Sequence, residues 1–325
     1  MKRQTFDSLL FRGTRGQASA RGQLIKVRGL STLIENGASP NHLAVAWWLW
    51  PNLFSLDAPL IACLWAVFLG KIFLAEMNPA SIFVLMMCVW GVYISDRLLD
   101  GFSCDDLTKL RSRHHFVLAH RLSLSLLVAL AIATSVVLSL LFLSSEQIEA
   151  GLVLCLLVIA YLLGVHAAPQ SIRNSLPKEY LVGALFAAGT ALPLYPIRDH
   201  TAMLFTWILF AHLCSLNCLA IECWETKEEP IRASTQRPDE AGVLRRQIAI
   251  GTALLALVAI TACTANKVGA GPRAGLLGIA AAAILLAAIH INRNRFSAEG
   301  LRVLADVALV VPALVGILAL ANGQS

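Results

Sequence analysis

Charge is the scarcest commodity in this chain: only 14% of its 325 residues are Asp, Glu, Lys or Arg. A soluble domain carries about 25%, so an ordinary water-facing surface is excluded. Hydrophobic residues make up 57% and the mean hydropathy is +0.70. They come in blocks of the length a bilayer demands, about 20 residues per helix. An early apolar leader is also missing. The first 50 residues are basic and mixed, and the first long apolar run starts near Leu53. No cleavable signal peptide is expected, and insertion falls to the spans themselves. Paired Cys ligand spacings are absent. Cys63, Cys88, Cys155, Cys214 and Cys263 fall within apolar runs, where Cys acts as a small apolar residue. Cys214, Cys218 and Cys223 lie near His212 but do not show the spacing of a zinc site. The net charge of +6 is spread over separate loops with no nucleic-acid motif, which excludes nucleic acid as a partner.

What is present reads as a polytopic, all-α membrane protein. Nine apolar runs are predicted, at 53–73, 79–97, 122–143, 150–168, 180–197, 201–221, 247–265, 274–291 and 303–321. Helices satisfy every backbone group internally, as a lipid environment requires. A basic cytoplasmic segment, 1–52, precedes a membrane domain, 53–325. Trp47, Trp48 and Trp50 suit an interfacial anchor at the junction. With the N-terminus placed inside, 22 of the 26 Lys and Arg residues fall on the cytoplasmic side. Lys71, Arg198, Lys267 and Arg273 are left on the other. This is the positive-inside pattern. It predicts a multi-pass protein of the plasma or inner membrane, with membrane lipids around it and its working surface facing the cytoplasm.

The chemistry concentrates in two loops on that side. Asp96 and Asp100 are one helical turn apart and share a face. Two carboxylates so placed repel unless a positive group lies between them. Mg²⁺ carrying a substrate phosphate is one such group. A solvated helix end, with the acids paired to Arg97 or Lys109, is the other reading, and the spacing alone favours it. In the second loop Asn217 and Glu225 fall near one helix face, with Glu222 at its edge. Polar residues emerging from an apolar helix carry an insertion cost. The alternative there is again a helix end running into the solvated Lys227, Glu228 and Glu229.

Two acidic clusters at the ends of different helices in a nine-span protein resemble the UbiA superfamily of intramembrane prenyltransferases. The segment Asp96-Arg97-Leu98-Leu99-Asp100-Gly101 is similar to the end of that family's first Asp-rich motif. Arg173-Asn174-Ser175-Leu176-Pro177-Lys178, running on to Val182 through Gly189, is similar to its basic "LP" segment. Leu56-Asp57-Ala58-Pro59-Leu60 is similar to its "LDKP" motif. The chain departs from the pattern at Val92 and Tyr93, where the family has Asn-Asp, at Ser55, where it has Arg, and in the Asn and Glu of the second motif.

The resemblance implies nine helices around a central cavity and Mg²⁺-dependent transfer of an isoprenyl group from a prenyl diphosphate to a lipophilic or aromatic acceptor. It assigns Asp96, Asp100, Asn217, Glu222 and Glu225 to the metal. Arg111, Arg113, Arg173 and Lys178 become candidate diphosphate partners, Arg as a planar fork and Lys as a point charge. A non-catalytic membrane scaffold, which the missing Asn-Asp pair favours, is one alternative. A secondary transporter is another, although no internal repeat is evident. Plain roles suit other residues. Asp57 caps a helix, Asp306 pairs with Arg302 at i,i+4, and His114 and His115 face solvent or headgroups. Pro193, Pro196 and Pro312 kink or end helices.

Overall fold

The computed structural model describes residues 50–103, 112–169, 171, 176–195, 200–225, 238–264 and 269–322. Chain contacts separate Met1–Trp50 from Pro51–Ser325, and the helices below belong to the second unit. They are α1 (Asp57–Ile72), α2 (Pro79–Ser103), α3 (Ser112–Ala119), α4 (Arg121–Phe142), α5 (Ser145–His166), α6 (Lys178–Ala191), α7 (His200–Glu225), α8 (Pro238–Thr264), α9 (Ala270–Asn292) and α10 (Ala298–Asn322). Among the described residues there is no strand, so the all-α class holds.

Seven of these helices, α2, α4, α5 and α7 to α10, are long and apolar enough to cross a membrane. The two other predicted runs form shorter helices. α1 has 16 residues and α6 has 14. At a rise of 1.5 Å per residue that is about 24 and 21 Å, less than the roughly 30 Å hydrocarbon core. Local chemistry sets both lengths. At the end of α1 the amide of Ala75 donates to the carbonyl of Gly70 at 2.9 Å, and Leu74 takes a left-handed φ of 52°. This is a Schellman closure with Leu where Gly is usual. α6 begins after Pro177 and passes directly into a 3₁₀ turn, Leu192–Leu194, with Pro193 near its start.

Side-chain clamps show that successive helices alternate in direction. Asn78, just before α2, donates to the carbonyl of Phe142 at the end of α4 (2.8 Å). Ser144 and Gln147 form a reciprocal capping box at the start of α5. The Gln147 amide also donates to Tyr195 O at 3.2 Å, just past α6. These residues mark one end of the bundle. Asp96, His166, Lys178 and Glu225 stand at the opposite ends of their helices. Pro312 lies inside α10.

α1 is the central helix and touches α2, α6, α9 and α10. Trp65 is fully buried and donates its Nε1–H to Leu309 O at 3.0 Å. Its ring meets Phe210 of α7 with centroids 4.5 Å apart. Phe68 packs where a Cβ on Gly278 of α9 or Gly316 of α10 would sit. α6 and α7 make another close pair, with the backbone of Ser215 pressed against Gly183. Such small-residue contacts let helix backbones approach where lipid removes the usual hydrophobic drive between helices.

Two stability predictions follow from this packing. Gly183→Ala forces a methyl group into the Ser215 backbone and should cost about 1–3 kcal/mol. Gly91→Ala, with open space at its Cβ, should be neutral or slightly stabilising. Thermal unfolding of the detergent-solubilised protein compares the two, and equal melting temperatures would contradict the α6–α7 contact. Leu74→Gly relieves a left-handed residue that is 80% exposed and loses little packing. It should raise stability by about 1 kcal/mol in the same assay.

Candidate functional site

Polar groups converge at the bundle end where α2, α5 and α7 finish and α1, α6 and α10 begin. Asp96 and Asp100 project side by side from the last turns of α2. His166, the final residue of α5, reaches between them. Its Nε2 lies 3.0 Å from Asp96 Oδ1 and its Nδ1 lies 3.9 Å from Asp100 Oδ1. The imidazole is 9% exposed, whereas the two carboxylates are 40% and 50% exposed. The acids are therefore open on one side and backed by a buried ring on the other. Lys178, at the start of α6, lies within electrostatic range of His166. The phenol of Tyr161 lies within range of Asp96, Asp100, Cys218 and Glu179.

Arg97, next in sequence to Asp96, faces the opposite way. It is buried and donates through Nη1 to Asn52 O at 2.8 Å and to Leu53 O at 3.5 Å. Asn52 in turn donates to Asp57 Oδ2 at 2.8 Å. Arg97 is thus spent on holding the segment that leads into α1, and it does not pair with the acids at the helix end. Asp57 accepts the amide of Ala58 at 3.0 Å, but it is the first residue of α1 and not its cap: the N-cap is Leu56, with no side-chain cap bond. Asp57 also lies within electrostatic range of Asp306 of α10. The expected i,i+4 pair of Arg302 and Asp306 does not form. Arg302 instead donates to Glu225 Oε1 at 3.1 Å, with the two side chains 15% and 9% exposed. The tertiary partner is itself buried, where a charged hydrogen bond is strong.

The second predicted cluster is consequently divided. Glu225 is occupied by Arg302. Asn217 is buried, and its Oδ1 has no hydrogen-bond partner among the described residues. Glu222 is half-buried near the end of α7. Tyr93 lies within range of Cys218, Asp57, Asp306 and Arg302. Arg111 and Arg173 lie outside the described residues, and of Arg113 only the backbone, on α3, is described.

Among the described residues, no three His, Cys, Asp or Glu side chains form a metal-holding group. Asp96 and Asp100 nevertheless suit Mg²⁺, which needs only one or two carboxylates when water and substrate phosphate complete its shell. Glu225 does not suit it while Arg302 holds its oxygen. His166, and Arg302 as the partner of the predicted Glu225, are the site residues that sequence reasoning missed. The signal for His166 was a lone histidine closing a 16-residue apolar run, 150–165. For Arg302 and Glu225, 77 residues apart, the sequence carried no signal.

Breaking the Arg302–Glu225 pair should be costly, because it removes a charged partner from a side chain only 9% or 15% exposed. Arg302→Met should destabilise by about 3 kcal/mol. Adding Glu225→Met should recover most of that loss, since two apolar groups replace the pair without an orphan charge. A double-mutant cycle on thermal stability measures the coupling, and strictly additive effects would show that the pair contributes nothing. No family model, curated protein or solved structure matches this chain.

Proposed function

We propose that this chain is an intramembrane prenyltransferase-like protein that binds a prenyl diphosphate through Mg²⁺ at the polar end of its bundle. In this reading all nine predicted runs cross the membrane. The short helices α1 and α6 do so inside a sheath of longer neighbours, where they need not match the bilayer. The 22-to-4 division of basic residues places the polar end in the cytoplasm. The observation that carries the reading is the convergence of the part-exposed carboxylates Asp96 and Asp100 on His166, at the bundle end that also holds Glu225 and Lys178.

Asp96 and Asp100 would hold the ion, with water and diphosphate oxygens completing its coordination. When bound, Mg²⁺ neutralises the diphosphate and supports its departure. Lys178, Arg111, Arg113 and Arg173 supply further positive charge to the leaving group. His166 orients Asp96 through its hydrogen bond and keeps Asp100 within reach. The apolar interior excludes water from the allylic cation until a lipophilic or aromatic acceptor attacks it. A second reading, a non-catalytic scaffold of similar shape, is favoured by Val92 and Tyr93 in place of Asn-Asp and by the closure of Glu225 onto Arg302.

One titration separates the two. Purified protein is titrated with a prenyl diphosphate, with Mg²⁺ and then with a chelator, for the wild type, Asp96→Asn and Asp100→Asn. A strongly anionic diphosphate does not settle beside bare carboxylates, and Asn keeps the shape while removing the charge. The expected result is Mg²⁺-dependent binding, with Kd raised at least about tenfold in each variant, or 1.4 kcal/mol. Both variants should fold, because Asn keeps a side-chain oxygen for the contact with His166 and the carboxylates replaced are 40% and 50% exposed. Tight binding that ignores chelator and survives both substitutions removes the metal bridge and leaves the scaffold.

A further inference from the structure

A second polar feature lies away from this cluster, on the flank of the bundle. A groove of about 400 Å³ opens between α6, α7 and α8, and Tyr180, His212, Leu216, Arg246, Gln247 and Ile250 line it. Its volume is in the range of small-ligand sites. Gly251, also on the groove wall, fits against the Leu216 side chain and fixes the register of α7 against α8. From that level Arg246 lies five residues nearer the polar end and His212 four residues farther from it. At 1.5 Å per residue these offsets are about 7 and 6 Å. The groove therefore runs from the level of lipid headgroups toward the bilayer interior.

The side chains of Tyr180, His212, Arg246 and Gln247 have no hydrogen-bond or ion-pair partner among the described residues. Four polar side chains left unsatisfied along one groove in a membrane protein call for an occupant, because such groups are costly beside hydrocarbon. Leu216 and Ile250 supply an apolar wall between them. We infer that this groove is a binding site for an anionic glycerophospholipid of the surrounding bilayer. The phosphate sits on the Arg246 guanidinium, a planar fork suited to it. The glycerol and ester oxygens meet Gln247 and Tyr180, and an acyl chain lies along Ile250 and Leu216 toward His212. No chemical step is involved, and the inference is independent of the prenyltransferase reading.

Native mass spectrometry of the full chain in detergent, with equal concentrations of phosphatidylglycerol and phosphatidylcholine, tests it. The wild type should retain phosphatidylglycerol about fivefold better, the scale of one basic residue at an anionic surface. Arg246→Gln should bring the ratio close to one. Ile250→Trp should lose both lipids by filling the groove, and Val243→Trp on its rim serves the same purpose if that variant does not fold. Leu277→Trp, on an exposed position of α9, should leave the ratio unchanged. Equal retention of the two lipids by the wild type overturns the inference. So does a preference that survives Arg246→Gln, or a loss in Leu277→Trp as large as that in Ile250→Trp.

Discussion

The seating of Phe68 and Trp65 of α1 among α7, α9 and α10 is the contact on which the rest of the bundle depends. Lipid is as apolar as these rings, so burial from water does not drive the association. Shape does. Gly278 and Gly316 leave room for Phe68, and Trp65 reaches Leu309 O with a directed hydrogen bond. A glycine on each of two neighbouring helices and a ring on the third make a contact that hydrocarbon chains cannot imitate. α1 is short because it sits inside this contact, where its length need not match the bilayer.

From that seat α1 positions the polar end. Asp57, at its start, meets Asp306 of α10 and Asn52 of the preceding turn, and Asn52 O and Leu53 O receive Arg97 of α2. These links join α1, α2 and α10 through side chains with little access to water. The Arg302–Glu225 pair adds α7. With Arg97 and Arg302 committed to structure, Asp96 and Asp100 stay 40% and 50% exposed, with His166 behind them. The site thus has an inner layer, in which Arg302 pairs with Glu225 and Arg97 holds backbone carbonyls, and an outer pair of part-exposed acids. That division gives the acids their chemical capacity and confines the orphaned Asn217 to the interior.

Prenyl diphosphate binding and lipid binding would make different uses of one design. The polar end concentrates its charge where several helices finish together. The groove distributes Arg246, Gln247 and His212 along two helices at increasing depth. In both places, polar side chains set into an apolar wall form the recognition element, because a fixed charge or hydrogen bond is strong where water is excluded.

The sequence by itself determined the all-helical class, the membrane setting and the approximate location of the helices, because each rests on local runs of apolar residues and on local punctuation. Asp96 and Asp100 were also legible as a pair, since i,i+4 spacing places them on one face whatever the tertiary fold. Tertiary structure alone decided the partners. His166 joins Asp96 across 70 residues, and Arg302 chooses Glu225 over the nearby Asp306. The ends of α1 and α6, by contrast, follow local punctuation near residues 76–79 and at Pro193, and α1 falls short of its predicted run mainly at its start, Asp57 in place of residue 53. Pairing across the bundle depends on which helices meet and at what register, and that is set by the fit of rings against glycines, which has no period along the chain.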